Sequence, residues 1–191
     1  MKKGKTITLA SIAWGEELKN VEKIVNYCNK IFPFFDEVKI ISHIDNLTEY
    51  NRFCVEDLYS YISTDFMLLI QSDGYISNAD LWDDKFLNFD YIGAPWPWHQ
   101  VCGNGGFSLR SKKFLQVSSM LKYKKEHYEY DNCPEDNFLC LDFFNRKFMI
   151  ENGIEFADML TALEFSFEHP IPQHPSHSKN NSFGFHGKFN L

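Results

Sequence analysis

Residues 66–74 read Phe-Met-Leu-Leu-Ile-Gln-Ser-Asp-Gly. The unbroken apolar run Phe66–Ile70 describes a strand with no polar face, and such strands are buried on both sides within parallel sheets. The run stops at Gln71-Ser72-Asp73-Gly74, which is ordinary turn chemistry. Upstream, residues 6–14 form a short, largely apolar run ending at Gly15, a second strand. Residues 16–31 continue as a helix, with Leu18, Val21, Ile24, Val25, Cys28 and Ile31 at helical spacing, and Pro33 stops it. Residues 38–43 are β-branched, and residues 53–62 are expected to be helical, with Phe53, Leu58, Tyr61 and Ile62 inward. Strand, helix, strand, helix, strand over residues 1–75 predicts an α/β fold with parallel strands flanked by helices.

The second half has a different texture. Residues 90–95 read as a short strand or turn, 103–110 as a glycine-rich stretch turning apolar, and 111–123 as a helix. Residues 124–133 are polar and read as a loop, and 134–149 as one helix with proline in its first turn and Gly153 past its end. Residues 154–157 read as a strand, and 170–191, rich in Pro, His, Ser and Asn, as irregular. No repeat, low-complexity tract or linker divides the chain. At roughly 100–200 residues per domain, the 191 residues make a single domain, 1–191, with halves 1–75 and 76–191.

Composition narrows the function. The chain is 44% hydrophobic and 24% charged, which excludes disorder and coiled coil; its 17% aromatic content implies a core of rings, with some left for a ligand. A net charge of −7 argues against a broad basic face and so against nucleic acid as partner. A small anionic substrate stays open, because a metal ion can supply local positive charge. Five cysteines, an odd number with no C-x-x-C, fit neither a disulfide framework nor a structural zinc cluster, so a reducing, cytoplasmic setting is expected. Phe66–Ile70 is far too short to span a bilayer, so no transmembrane segment is expected. Lys2, Lys3 and Lys5 faintly resemble the start of a signal peptide, but a buried first strand accounts better for residues 6–14.

Four constellations carry potential chemistry. Asp73 comes directly after a buried strand; in parallel α/β sheets ligands bind outside the carboxyl ends of the strands, although Ser-Asp-Gly also makes a plain turn. Residues 102–110, Cys-Gly-Asn-Gly-Gly-Phe-Ser-Leu-Arg, suit close backbone approach to a ligand or a simple glycine hairpin, and do not form a P-loop. Pro134-Glu135-Asp136 places carboxylates at a helix start, where they either complement the dipole or serve as a rigid base. His186, within Phe183-Gly184-Phe185-His186-Gly187, is bracketed by glycines and rings, a pattern that suits a segment folded back against the body.

In this order the four resemble GT-A-type nucleotide-sugar glycosyltransferases. More closely, residues 69–74, Asp90-Tyr91-Ile92-Gly93-Ala94-Pro95-Trp96, 103–111, Pro134-Glu135-Asp136 and 183–187 resemble a largely uncharacterised family of glycosyltransferase-like domains. The likeness covers residues 66–187 well and the first 65 as a Rossmann-like half. It departs at Gln71, where the first Asp of D-x-D is expected, which leaves metal binding to Asp73 and makes metal-independent chemistry conceivable. The resemblance implies a GT-A-like, mostly parallel sheet and transfer of a sugar from a nucleotide-diphosphate sugar to a hydroxyl of a glycan or other acceptor, with inversion. A divalent cation, Mn²⁺ or Mg²⁺, held by Asp73 and His186 would offset the leaving diphosphate's charge. Asp136 is the candidate general base, with Glu135 as substitute. Donor contacts would come from Ala10, Ser11, Trp14, His43, Gln71, Ser72, Asp73, Gly105, Gly106 and Arg110; Arg110 pairing instead with an acidic neighbour is equally open. Trp96, Trp98 and His99 offer flat rings for an acceptor sugar, or else anchor their loop to the core. Two other readings compete: a non-catalytic sugar- or nucleotide-binding module, and a nucleotide-sugar hydrolase.

Overall fold

A computed structural model describes residues 4–99, 101–123 and 133–191. The first half alternates as expected: β1 Ile7–Ile12, α1 Glu17–Ile31, β2 Glu37–Ile41, α2 Leu47–Glu56 and β3 Phe66–Ile70. β1 pairs in parallel with β2 and with β3, and β1 and β3 are buried throughout. The polar residues inside β1 are satisfied internally: Ser11 Oγ donates to the Ile70 carbonyl at 2.7 Å, and the Thr8 and Thr64 hydroxyls lie 2.7 Å apart.

The second half makes the sheet mixed rather than mostly parallel. After the short strands β4 Tyr75–Ile76, β5 Tyr91–Ile92, β6 Pro95–Trp96 and β7 Val101–Cys102 comes β8 Phe107–Ser111. β8 runs antiparallel to β3, and β5 antiparallel to β8, in the order β2-β1-β3-β8-β5. Helices α3 Lys112–Ser118, α4 Phe143–Glu151 and α5 Met159–Phe165 come next, then β9 Ser166–Phe167 and β10 Gly184–Phe185. β10 is the middle strand of a small sheet, antiparallel to β4 and parallel to β9. The tail therefore returns beside the residues just past Asp73.

Several boundaries differ from the sequence reading, each for a local reason. α2 starts before residue 53 because Asn46 caps it, its Oδ1 accepting from Glu49 N at 3.0 Å; residues Leu58–Tyr61 are a separate 3₁₀ turn. The single helix expected over 134–149 is broken: one turn of π-helix, Asn137–Leu141, ends at Asp142, whose carboxylate caps α4 by accepting from Phe144 N and Asn145 N. α3 stops at Ser118, where the Ser118 hydroxyl bonds back to the Leu115 carbonyl. Residues 154–157 give only a single parallel bridge, Phe156 to Tyr91. The polar stretch 124–133 lies outside the described residues except for Cys133. All five cysteines are buried thiols, and among the described residues no helix is long and apolar enough to cross a membrane.

The aromatic content has a location. Phe183 touches the rings of Phe32, Trp82, Phe86, Phe107 and Phe165, mostly tilted or edge-on at centroid distances of 5.2–6.4 Å. These are the preferred ring geometries, and they lock the tail to the main sheet.

Candidate functional site

Strand register assembles the site. Ser11 stands opposite Ile70, so residues 13–14 and 71–73 leave the sheet side by side at its carboxyl edge. Phe107 also stands opposite Ile70, so the antiparallel β8 begins at that edge and brings the glycine loop there; Gln71 N donates to the Gly106 carbonyl at 3.0 Å. Phe185 stands opposite Tyr75, which sets His186 next to Asp73 and Gly74.

His186 is the hub. Its Nε2 lies 3.3 Å from Asp73 Oδ1 and 3.1 Å from Gln71 Oε1, and its Nδ1 lies 3.2 Å from Glu168 Oε1. Burial pushes the imidazole pKa down, but hydrogen bonds to the Asp73 and Glu168 carboxylates outweigh it and carry it up to about 9. The hydrogen bond from His186 in turn holds the Asp73 carboxyl below its usual value. Further bonds fix the group from behind. Asn104 Nδ2 donates to Glu168 Oε1 at 2.9 Å, Gly106 N donates to Asn104 Oδ1 at 3.1 Å, and Gln71 Nε2 donates to the Tyr50 hydroxyl at 3.0 Å.

A carboxylate oxygen and an amide oxygen thus converge on one imidazole nitrogen, at 3.3 and 3.1 Å. Among the described residues no group of three or more His, Cys, Asp or Glu could hold a metal ion, and the third donor here is the neutral Gln71. A divalent cation at this point would have to displace the proton that His186 Nε2 shares with Asp73 and Gln71.

Side chains of the protein itself pack against the glycine loop. A Cβ on Gly106 would collide with the His186 ring, and one on Gly105 would collide with Glu135 and Arg110 and press on Asp136. In the direction of each absent Cβ these side chains, rather than open space, meet the glycines. Asp136 accepts from Gly105 N at 2.8 Å and from Asn137 N at 2.7 Å. Burial, then the neighbouring charge of Glu135, raises its pKa to about 7. Glu135 is committed elsewhere: its Oε1 meets Arg110 Nη2 at 2.8 Å, both side chains being buried. Arg110 also donates to Ser108 Oγ at 3.0 Å and sits over the Tyr91 ring. Its guanidinium is turned inward, so the acidic-neighbour alternative describes it and the phosphate contact does not.

Beside Asp73 opens a cleft of about 310 Å³ lined by Trp14, Tyr50, Leu47, Gln71, Ser72, Asp73 and Lys188, with Glu17 and apolar residues of β1 and α1. Trp14, Gln71, Ser72 and Asp73, all expected as donor contacts, line this cleft. Ala10 and Ser11 are fully buried within β1 and do not line it. His43 lies in another groove, stacked on Tyr61 at 5.3 Å. Trp96 is buried against Gly103 and anchors its loop, with His99 edge-on to it at 6.4 Å. Trp98 is 64% exposed and forms a ring row with His169 and Phe189. Glu168, Lys188, Tyr50 and Asn104 belong to the site and are not singled out by the sequence reading. Asn104 sits inside the quoted glycine stretch, and Lys188 two residues past His186; Glu168 has no local signal.

The fold is GT-A-like, an α/β arrangement with a mixed, partly parallel sheet flanked by helices. The structure of a glycosyltransferase involved in the glycosylation of the major capsid of PBCV-1 matches it over 95% of this chain and 92% of that one, with a TM-score of 0.62 and 14% sequence identity. A197 from STIV matches over 70% of this chain and 75% of that one, at 13% identity and a TM-score of 0.40. No curated protein matches the sequence. Residues 36–186 match the family described as protein of unknown function, DUF5672, and the chain belongs to that family.

Proposed function

We propose that this protein is a glycosyltransferase that moves a sugar from a nucleotide-diphosphate sugar to an acceptor hydroxyl, inverting and metal-dependent, with Asp136 as general base. The observation that carries the reading is the convergence of Asp73, Gln71 and His186 at the carboxyl edge of the sheet, beside a cleft walled by Trp14 and Tyr50. The two rings, 6.1 Å apart, offer the nucleotide an apolar seat. Asp73, His186 and Gln71 would hold a divalent cation, Mn²⁺ or Mg²⁺, which when bound offsets the charge of the leaving diphosphate.

Inversion needs one displacement: the acceptor oxygen attacks the anomeric carbon as the diphosphate oxygen leaves, and the acceptor proton passes to a base. Asp136 suits that task because a pKa of about 7 leaves much of it ionised at neutral pH yet basic enough to take a proton. Its tie to Gly105, next to Gly106 against the His186 ring, couples the base to the cation group. On the acceptor side, exposed Trp98 supplies a flat surface for a sugar ring.

One feature favours a non-catalytic nucleotide-sugar-binding module: Gln71 leaves a single carboxylate at the cation position. The test is transfer from UDP- and GDP-sugars to a panel of hydroxyl acceptors with Mn²⁺ present. Loss of transfer in both Asp73→Ala and Asp136→Asn supports the enzyme. Donor binding without transfer or donor hydrolysis in the wild type supports the module, and donor hydrolysis alone supports water as acceptor.

A further inference from the structure

The cleft beside Asp73 has a neighbouring hollow, and Glu17, Ser72, Asp73 and Lys188 line both. Among the described residues Lys188 is the one cationic side chain lining the cleft. Its Nζ makes no hydrogen bond or ion pair with the described residues, in a chain of net charge −7. The nearby Lys179 differs: its Nζ donates to the Asn190 carbonyl at 2.6 Å and lies over the Phe185 ring.

The backbone carrying Lys188 is tightly held. Gly187 adopts φ +102, a conformation that side chains resist. Asn190 Nδ2 donates to the carbonyls of Glu168 and His186 at 2.9 and 2.6 Å, and Asn190 N donates to the Gly187 carbonyl at 2.8 Å. A strapped turn thus presents an ammonium, without a hydrogen-bond partner among the described residues, close enough to Asp73 for its charge to act on that carboxylate.

We propose that Lys188 is a diphosphate-binding residue: its ammonium donates to a phosphate oxygen of the bound nucleoside diphosphate. This rests on the glycosyltransferase reading above and extends it. When the bond between the anomeric carbon and the diphosphate oxygen breaks, the electron pair stays on that oxygen. Lys188 remains protonated and offsets part of that charge, transferring no proton. Diphosphate affinity therefore persists in part without metal.

The test is calorimetric titration of the wild type, Lys188→Gln and Lys188→Arg with UDP, GDP, uridine, guanosine and inorganic pyrophosphate, each in EDTA and in Mn²⁺. The wild type should bind a nucleoside diphosphate in EDTA. Lys188→Gln should weaken diphosphate and pyrophosphate by roughly ten- to a hundredfold while leaving nucleoside binding unchanged, the range expected for a hydrogen bond to a charged group. Lys188→Arg should stay near wild type. Three results overturn the proposal: no diphosphate binding by wild type in EDTA, equal diphosphate affinity in Lys188→Gln, or an equal loss for nucleosides, which would mark a structural role. Lys188 is exposed, so the variants should melt like wild type without ligand. The two readings fail separately. Lys188-dependent diphosphate binding with no sugar transfer sinks the transferase alone. Transfer that proceeds with unchanged diphosphate affinity in Lys188→Gln sinks the Lys188 assignment alone.

Discussion

Gly106 lacks a side chain because the His186 ring stands where one would go. In Gly106→Ala the ring must swing away from Asp73 and Gln71, while the backbone, whose φ is not positive, is unstrained. The variant should fold and lose the stabilisation that Mn²⁺ with UDP gives the wild type, about 2.7 kcal/mol at 100 times the dissociation constant. Thermal melts with and without ligand check this; a full ligand-induced shift in Gly106→Ala would show that His186 is not part of the cation group. Gly184→Ala is the contrast, because its Cβ would strike the Phe107 ring in the core, so it should cost stability by about 1–3 kcal/mol whether or not ligand is present. Asp136 makes a pH prediction. As a base with its pKa raised to about 7, it should make kcat climb as pH rises through 7 and level off above. Asp136→Asn should lose on the order of 10²–10⁴-fold in kcat with donor affinity kept. Stability carries the matching sign. A carboxyl whose folded pKa is raised stabilises the fold fully below its unfolded value of about 4, and that contribution disappears as pH rises through 7. The melting temperature of Asp136→Asn relative to wild type should therefore rise between pH 5 and 8. A carboxylate that merely complements a helix dipole keeps a pKa at or below about 4, stays ionised across this window and predicts no change between pH 5 and 8.

At the scale of elements, the Arg110–Glu135 pair joins β8 to the turn that carries Asp136. Both partners are buried, so removing one strands a charge in the core. Glu135→Ala should cost about 3–5 kcal/mol, a fall in melting temperature on the order of 10 °C, whereas Arg110→Met with Glu135→Leu should recover most of it. Differential scanning calorimetry of the two singles and the double gives the coupling directly, and near-additive losses would mean that the pair is not the joint. Glu135 is for this reason a poor spare base. The elements that sequence located well, β1, α1, β2 and β3, are long apolar or helical runs punctuated by Gly15 or Pro33, so burial and period agree. Elements were missed where a cap overrode the apolar pattern. Asn46 starts α2 early, Asp142 splits the expected long helix, and Asp158 starts the unforeseen α5 by accepting from Thr161 N at 2.9 Å. Strands of two residues have no period to read. The site divides the same way: Asp73 and His186 were legible from flanking turns and rings, but Glu168, Tyr50 and Lys188 are placed by tertiary pairing of the tail and of α2, which no local pattern encodes.

In the molecule as a whole, completing the core and assembling the site are one event. Phe183 closes the ring cluster, β10 fills the gap between β4 and β9, and the next residues bring His186 to Asp73 and Lys188 to the cleft. The fold therefore cannot release the tail to admit a ligand without opening its own core. Phe183→Ala should cost about 3–5 kcal/mol, as expected for an aromatic side chain removed from a packed interior. At temperatures where it remains folded, the variant should bind UDP with Mn²⁺ more weakly, because β10 loses its anchor. Saturating ligand should then raise its melting temperature, since binding requires the docked tail. Phe189→Ala is the control in the same tail: that ring is 66% exposed, so stability should change by no more than about 0.5 kcal/mol. Hydrogen exchange adds a readout that stability alone lacks. In the wild type the amide of His186, bonded to the Phe167 carbonyl at 2.9 Å, should exchange as slowly as those of β3; in Phe183→Ala both should speed up together. Fast exchange at His186 in the wild type, with β3 still protected, would show that the tail peels away on its own and that the core does not gate the site.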